Sequence, residues 1–402
     1  MNNYNRSSSK YLVWLILSLV FLACGGTALL PTPTAVPPSP TPNPAATVAS
    51  DATPAVSLTT APLSELSPPP YKIEVFARGV ILATALEFAP DGRLFAAEKN
   101  GTIRTISPDG VVSDPVLTLT NIDVSGERGL LGMTLDPSFA ETGYLWVFYT
   151  RGDALIDRIS RFTLQGDSAG DEQVSFEFRI AFETSTILNG GGIRFGPDGM
   201  LYIAAGSTNN VNASNEPGAP QAKIHRVDPT TFPAQPAPGN PDPASTIYAS
   251  GLRNVFDFTF HPVNGLLYAT ENGGDCDDEI NIVEAGGDYG WHTDGLCEDY
   301  ALPPDYPYKK PLLYFTPTIG PTGITPYTGT AFPDWYGSIF FCSWHGTRLV
   351  RLEIKEDGYH LKKSERIETG ADKPCLVDVM EGPDGNVYYN DLTNIYRVVP
   401  AK

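Results

Sequence analysis

The sequence predicts an all-β chain folded as a six-bladed β-propeller of four-stranded antiparallel sheets. Three observations predict it: one hairpin motif recurs from residue 71 onward, a helical period is nearly absent there, and a short extra strand follows most copies. The copies read ALEFAPDGRLFAAE from Ala85, GMTLDPSFAETGYLWVFYT from Gly132, GGIRFGPDGMLYIAAG from Gly191, DFTFHPVNGLLYATENG from Asp257 and DVMEGPDGNVYYND from Asp378. A degenerate copy, AFPDWYGSIFFCSWHG, begins at Ala331. Each sets a Pro-containing turn between runs of alternating apolar residues, the pattern of paired strands. The extra strands are GTIRTI, RISRFTL, KIHRV, EINIV, RLVRLEI and NIYRV. Copies recur roughly every 50–70 residues, the span of a four-stranded blade. The strand KIEVFA at Lys72–Ala77 precedes the first copy and is expected to complete the last blade. Closing the ring in this way removes open hydrogen-bonding edges. A β-sandwich has no reason to repeat one turn motif six times.

Taken in order, the chain opens with a leader. Arg6 and Lys10 precede the apolar run Tyr11–Cys24, which is too short for a comfortable membrane span and ends in Ala23-Cys24, with Gly25 and Gly26 following. Residues 1–24 thus resemble a bacterial lipoprotein signal with Cys24 as the lipidated residue; a plain secretory signal is the alternative. Residues 25–70 are rich in Pro, Thr, Ser and Ala, a composition that cannot bury enough apolar area to fold. They read as a spacer, and residues 71–402 as the propeller. The expected location is extracytoplasmic, with the lipid as the sole membrane contact and a monomeric chain. With 46 acidic against 27 basic residues and a net charge of −19, the 402-residue chain lacks the basic face that nucleic acid requires.

The repeat also dictates a geometry. If the Pro-Asp-Gly turns share one end of the ring, the residues before each first strand and after each second strand share the other. Glu127, Leu188, Ser207, Arg253, Asn254, Asn272, Trp344, His345 and Cys375 are expected at that mouth. Apart from Cys24, the cysteines are Cys276, Cys297, Cys342 and Cys375, an even set in an oxidising compartment. Three pairings are open; proximity within and between blades favours Cys276–Cys297 and Cys342–Cys375. No CxxC spacing supports a zinc site.

The ordered motifs ERGLLGMTLDP, NGGGIRFGPDGMLYIAAG, ASGLRNVFDFTFHP, DDEINIVEAGGDYGW, PTGITPYTG and GPDGNVYY resemble the glucose/sorbosone dehydrogenase family, the soluble quinoprotein sugar dehydrogenases. The resemblance implies a propeller that holds pyrroloquinoline quinone (PQQ) at its mouth, where calcium polarises the quinone and a histidine takes the hydroxyl proton of an aldose or polyol. The family's base falls on Leu188, which has no titratable group, and the acid beside it falls on Ile187. Of the cofactor-binding positions, Arg253 and Asn254 match. A lysine position falls on His345, two arginine positions fall on Cys375 and Val377, and a glutamine position falls on Glu127. Carbonyls at Gly273 and Gly274 would face the cofactor's calcium, although a family proline falls on Gly274. His345 is the one histidine placed to substitute as a catalytic base; His225, His261, His292 and His360 have no such placement.

The stretch ENGGDCDDEINIVEAGGDYGW offers hard oxygen ligands and approachable backbone carbonyls, which suit calcium. The resemblance assigns a structural calcium to the positions of Glu279 and the Tyr289 carbonyl, and Asp278 is a further candidate ligand. A solvated acidic loop is the alternative. Two functional expectations follow. One is a surface-tethered sugar dehydrogenase-like oxidoreductase with a degenerate site. The other is a non-catalytic propeller that binds carbohydrate or a protein at its mouth.

Overall fold

The recurring hairpins pair as their turns dictate. In the computed structural model, which describes residues 70–180, 184–210, 212–291 and 308–401, Ala83–Phe88 pairs antiparallel with Leu94–Glu98 across the Pro-Asp-Gly turn. The Ala89 amide donates to the Arg93 carbonyl at 2.8 Å, the Asp91 carboxylate accepts the Arg93 amide at 3.1 Å, and Gly92 takes a φ of 86°. Turns at 196–200, 261–266 and 382–386 close in the same way, with Gly199, Gly265 and Gly385 in the left-handed region that glycine adopts without penalty.

Thr102–Ile106 and Val112–Thr118 complete blade I. Blade II runs Leu130–Leu135, Tyr144–Thr150, Ile156–Gln165 and Ser168–Arg179. Blade III runs Gly190–Phe195, Leu201–Ala205, Lys223–Asp228 and Gln235–Pro236, and Ile247–Ala249 adds a fifth strand to it. Blade IV comprises Val255–Phe260, Leu267–Glu271, Asp278–Val283 and Leu313–Phe315. Blade V comprises Pro321–Tyr327, Ser338–Ser343, Arg348–Ile354 and Leu361–Ile367. In blade VI the strands Val379–Glu381, Val387–Asn390 and Asn394–Pro400 are joined by Tyr71–Arg78, so an early segment clasps the end of the chain, with Ile73 opposite Val398 and Val75 opposite Tyr396. The first strands of successive blades touch all the way round, and the ring is closed.

The core lies between blades. Six apolar clusters each join two neighbours; one packs Phe95 of blade I with Met133, Phe139 and Val147 of blade II, and another packs Tyr327 and Phe340 of blade V with Tyr389 and Tyr396 of blade VI. Both faces of a blade are therefore covered, and Leu94–Glu98, Leu201–Ala205 and Leu267–Glu271 are buried along their whole length. The axis is polar instead. Around a small polar cavity the Arg194 guanidinium meets Asp257 at 2.9 Å and Glu87 at 3.8 Å, with Asp378 also lining the space. Burial pushes the Glu87 and Asp378 carboxyls up to about 7. No helix among the described residues is long and apolar enough to cross a membrane. Cys24, the spacer through residue 69, His292 and Cys297 lie outside the described residues.

Candidate functional site at the ring mouth

The connections opposite the Asp-Gly turns bring together residues far apart in sequence. Glu127 leads into blade II, and its Oε2 accepts the Leu188 amide at 2.6 Å. Leu188 leads into blade III with a φ of 63°, an uncommon conformation for leucine, and its carbonyl accepts the Thr208 amide at 2.8 Å. The Ser207 amide donates to the Arg253 carbonyl at 2.8 Å. Asn254 Oδ1 accepts the Gly190 amide at 2.9 Å while its Nδ2 donates to Asn272 Oδ1 at 3.0 Å; Asn272 Nδ2 in turn reaches the Pro321 carbonyl at 2.7 Å. Asn254 and Asn272 together staple blades III, IV and V.

Leu188 is 7 % exposed and offers the mouth no proton acceptor. Asn189 beside it is also buried, and neither atom of its side-chain amide has a hydrogen-bond partner among the described residues. Arg253 Nη1 donates to the Asn272 and Gly273 carbonyls, and its guanidinium lies 5.1 Å from the Trp291 ring centroid. Burial lowers the Arg253 pKa, with Glu271, Glu127, Asp278 and Asp275 acting in the opposite sense. Gly274 is exposed near Trp291. His345 is exposed in the connection between the second and third strands of blade V, within electrostatic reach of Asp278, and Trp344 stands 44 % exposed beside it.

Cys342 and Cys375 form a disulfide between blades V and VI. Cys276 is also disulfide-bonded; its expected partner, Cys297, lies outside the described residues. The disulfide and the buried Val377 leave no cation where the resemblance places two arginines. A tricarboxylate at this mouth would meet Arg253, whose guanidinium is already engaged, together with the Glu127 carboxylate. These residues do not fit PQQ held in the family's manner. The other histidines serve the frame: His225 bonds Thr246 Oγ1 and the Pro220 carbonyl, His261 bonds the Gly337 carbonyl, and His360 pairs with Asp357 on the surface.

The acidic stretch divides into two roles. Asp278 accepts the backbone amides of Gly273, Ile319 and Gly320 at 2.6–2.8 Å, so it anchors connections between blades IV and V. Glu279 instead faces Glu271 directly across the second and third strands of blade IV. Asn281 Nδ2 donates to both carboxylates, at 2.7 Å and 2.8 Å, and its Oδ1 is buried without a partner among the described residues. Burial pushes Glu271 up to about 7; burial and then the facing Glu271 raise Glu279 well above the usual range. Like charges facing each other across strands repel, and a hard divalent cation between the carboxylates would relieve them; the Asn281 amide would have to turn over to add its oxygen, because its Nδ2 now faces both. Tyr289 packs beside this hairpin, its hydroxyl donating to the Ile282 carbonyl at 2.6 Å. Among the described residues no group of three or more His, Cys, Asp or Glu side chains is arranged to hold a metal. Glu271 and Asn281 were not singled out from sequence. The signal for them was the hairpin register, which sets Glu271 opposite Glu279 with Asn281 two residues along the same face.

Comparison with known proteins agrees with this architecture. The profile of the Glucose / Sorbosone dehydrogenase family matches residues 82–394. The aldose sugar dehydrogenase YliI of Escherichia coli is 25 % identical over 342 residues, covering 80 % of this chain and 90 % of that protein. The oxidoreductase (glucose dehydrogenase) of Thermus thermophilus superposes with a TM-score of 0.71 at 27 % identity, over 82 % of this chain and 100 % of that one. The PQQ-bound aldose sugar dehydrogenase of Streptomyces coelicolor shares the fold with a TM-score of 0.70 at 24 % identity, over 83 % and 99 %.

Proposed function

The chain belongs to the glucose/sorbosone dehydrogenase family, and on that premise we propose that its propeller is a calcium-stabilised receptor for a sugar or polyol, held outside the cytoplasm by lipid on Cys24. In this reading it does not perform the family's histidine-dependent oxidation. The observation that carries it is Leu188: the position from which a base would take a hydroxyl proton presents an aliphatic side chain, bound through its main chain to Glu127. Arg253, Glu127 and the exposed face of Trp344 supply a donor, an acceptor and an apolar surface, the combination a polyhydroxylated ring uses.

Calcium would be held by Glu271 and Glu279, by Asn281 Oδ1 once its amide turns over, and by the Tyr289 carbonyl as the expected further ligand. It would neutralise the facing carboxylates and fix the hairpin that carries Asn272 and Gly273 to the mouth. Calorimetric titration of the calcium-loaded protein with a panel of aldoses and polyols tests the reading. Saturable heat for at least one sugar is expected; silence across the panel rejects it. A second reading rests on the exposed His345 near Asp278: an altered dehydrogenase with that imidazole as proton acceptor. It predicts sugar-dependent dye reduction that disappears in His345→Asn.

A further inference from the structure

Each cation at the mouth already has protein partners, Arg253 through Nη1. Arg253 is held on two carbonyls and over Trp291, and Lys99 Nζ donates to the Val124 carbonyl at 2.7 Å. Carboxylates surround both. Arg253 feels Glu271, Glu127, Asp278 and Asp275, while Lys99 feels Asp123 and Glu127. Glu127 is common to the two. Its place is fixed, because Oε2 accepts the Leu188 amide at 2.6 Å and its own amide donates to the Thr186 carbonyl at 2.7 Å. Its Oε1 takes no hydrogen bond among the described residues, and the side chain reaches solvent although the walls of the mouth crowd round its carboxylate. Apolar side chains flank it, Val124 at 47 % exposure and Ile187 at 38 %.

We propose that Glu127 is the specificity-determining residue of the mouth: its fixed carboxylate accepts from uncharged, hydroxyl-bearing ligands and turns away ligands that carry carboxylates. The proposal rests on the reading of the mouth as a sugar or polyol site. A ligand hydroxyl can donate to the free Oε1, whereas a ligand carboxylate can only repel it. Surrounding protein thins the water that would screen that repulsion, so like charge counts for more here than on an open surface. Burial raises the Glu127 pKa, offset by the Leu188 amide, Arg253 and Lys99. Protonation removes the repulsion, so affinity for anions should climb as pH falls.

The test uses the full, calcium-loaded chain and two probes with the same ring system, PQQ and its uncharged trimethyl ester, titrated by absorbance. Wild type should bind the ester about tenfold or more tightly than the triacid, and Glu127→Gln should narrow that ratio by about tenfold, the scale of one like-charge contact. Glu127→Gln should also flatten the pH dependence of triacid binding, and His345→Asn should leave that flattening intact. An unchanged ratio in Glu127→Gln, or failure of both probes to bind either protein, would overturn the proposal. If the ratio shifts but no sugar binds wild type, charge selection stands and the sugar reading falls.

Discussion

At one end of the ring four of the six hairpins repeat a single solution, an Asp-Gly or Asn-Gly turn with glycine in the left-handed region at residues 92, 199, 265 and 385, and the turns of blades II and V also place a glycine there, Gly143 and Gly337. At the mouth no two connections are alike. Among the described residues, the non-glycine positions with positive φ are Leu82, Leu188, Thr208, Asn209, Ala222, Asp277 and Thr347 on the mouth side, against Asp171 in a bulged outer strand of blade II. One end is built from residues that suit their conformation, the other from residues held in conformations they disfavour. Strain of this kind persists where surrounding structure over-determines it, and it collects at functional sites. The turn end carries the fold, and the strained mouth is where the proposed site lies.

Four measurements break or sharpen that contrast. The largest effect belongs to the disulfide that spans blades V and VI across 33 residues. Replacing Cys342 and Cys375 together with serine should cost roughly 2–4 kcal/mol in denaturant unfolding; a loss below ~0.5 kcal/mol would remove the bond from the account. Next is calcium. At ligand near one hundred times its Kd, binding contributes about 2.7 kcal/mol, so EDTA should lower the Tm of wild type and leave that of Glu279→Gln nearly unmoved.

The pH profile carries a sign. Glu87, Asp157, Glu271 and Asp378 are raised to about 7, each chiefly by burial. The folded state therefore holds protons the unfolded state releases near its ordinary carboxylate values, and stability falls as pH rises from there through about 7. In EDTA the protein should melt higher at pH 5.5 than at pH 8. Calcium should shrink the difference by removing the Glu271 share, and a Tm that rises with pH in EDTA would contradict the burial of these groups.

The smallest pair has opposite signs. Gly199, at a φ of 75° with open space around its Cα, lies at the turn end. Gly199→Ala should destabilise by about 1 kcal/mol without affecting ligand binding. Thr347, exposed at the mouth with a φ of 51°, should gain up to ~1 kcal/mol on substitution by glycine. Matching signs for the two would erase the contrast.

The two ends also differ in how far sequence reveals them. An Asp-Gly turn is local, so APDGR and GPDGM announce their strands by themselves, and the repeat count supplies the ring. The clasp by Tyr71–Arg78 follows because six blades need a final outer strand. The mouth is assembled from contacts such as Glu127 with Leu188, 61 residues apart, and Gly190 with Asn254, 64 apart. Blade register predicts that these residues share an end, but not which oxygen meets which amide. Asp278 shows the limit: its acidity reads as a cation ligand, while its carboxylate is occupied by three backbone amides. Glu271 shows the reverse, an unremarked strand-end residue that register sets against Glu279.

The measurement that bears most directly on the mouth is turnover. Calcium-loaded protein supplied with PQQ, a dye acceptor and aldoses or polyols at saturating concentration should reduce no dye above the rate without protein, because Leu188 cannot take a hydroxyl proton. Sugar-dependent dye reduction by the wild-type chain would contradict the account.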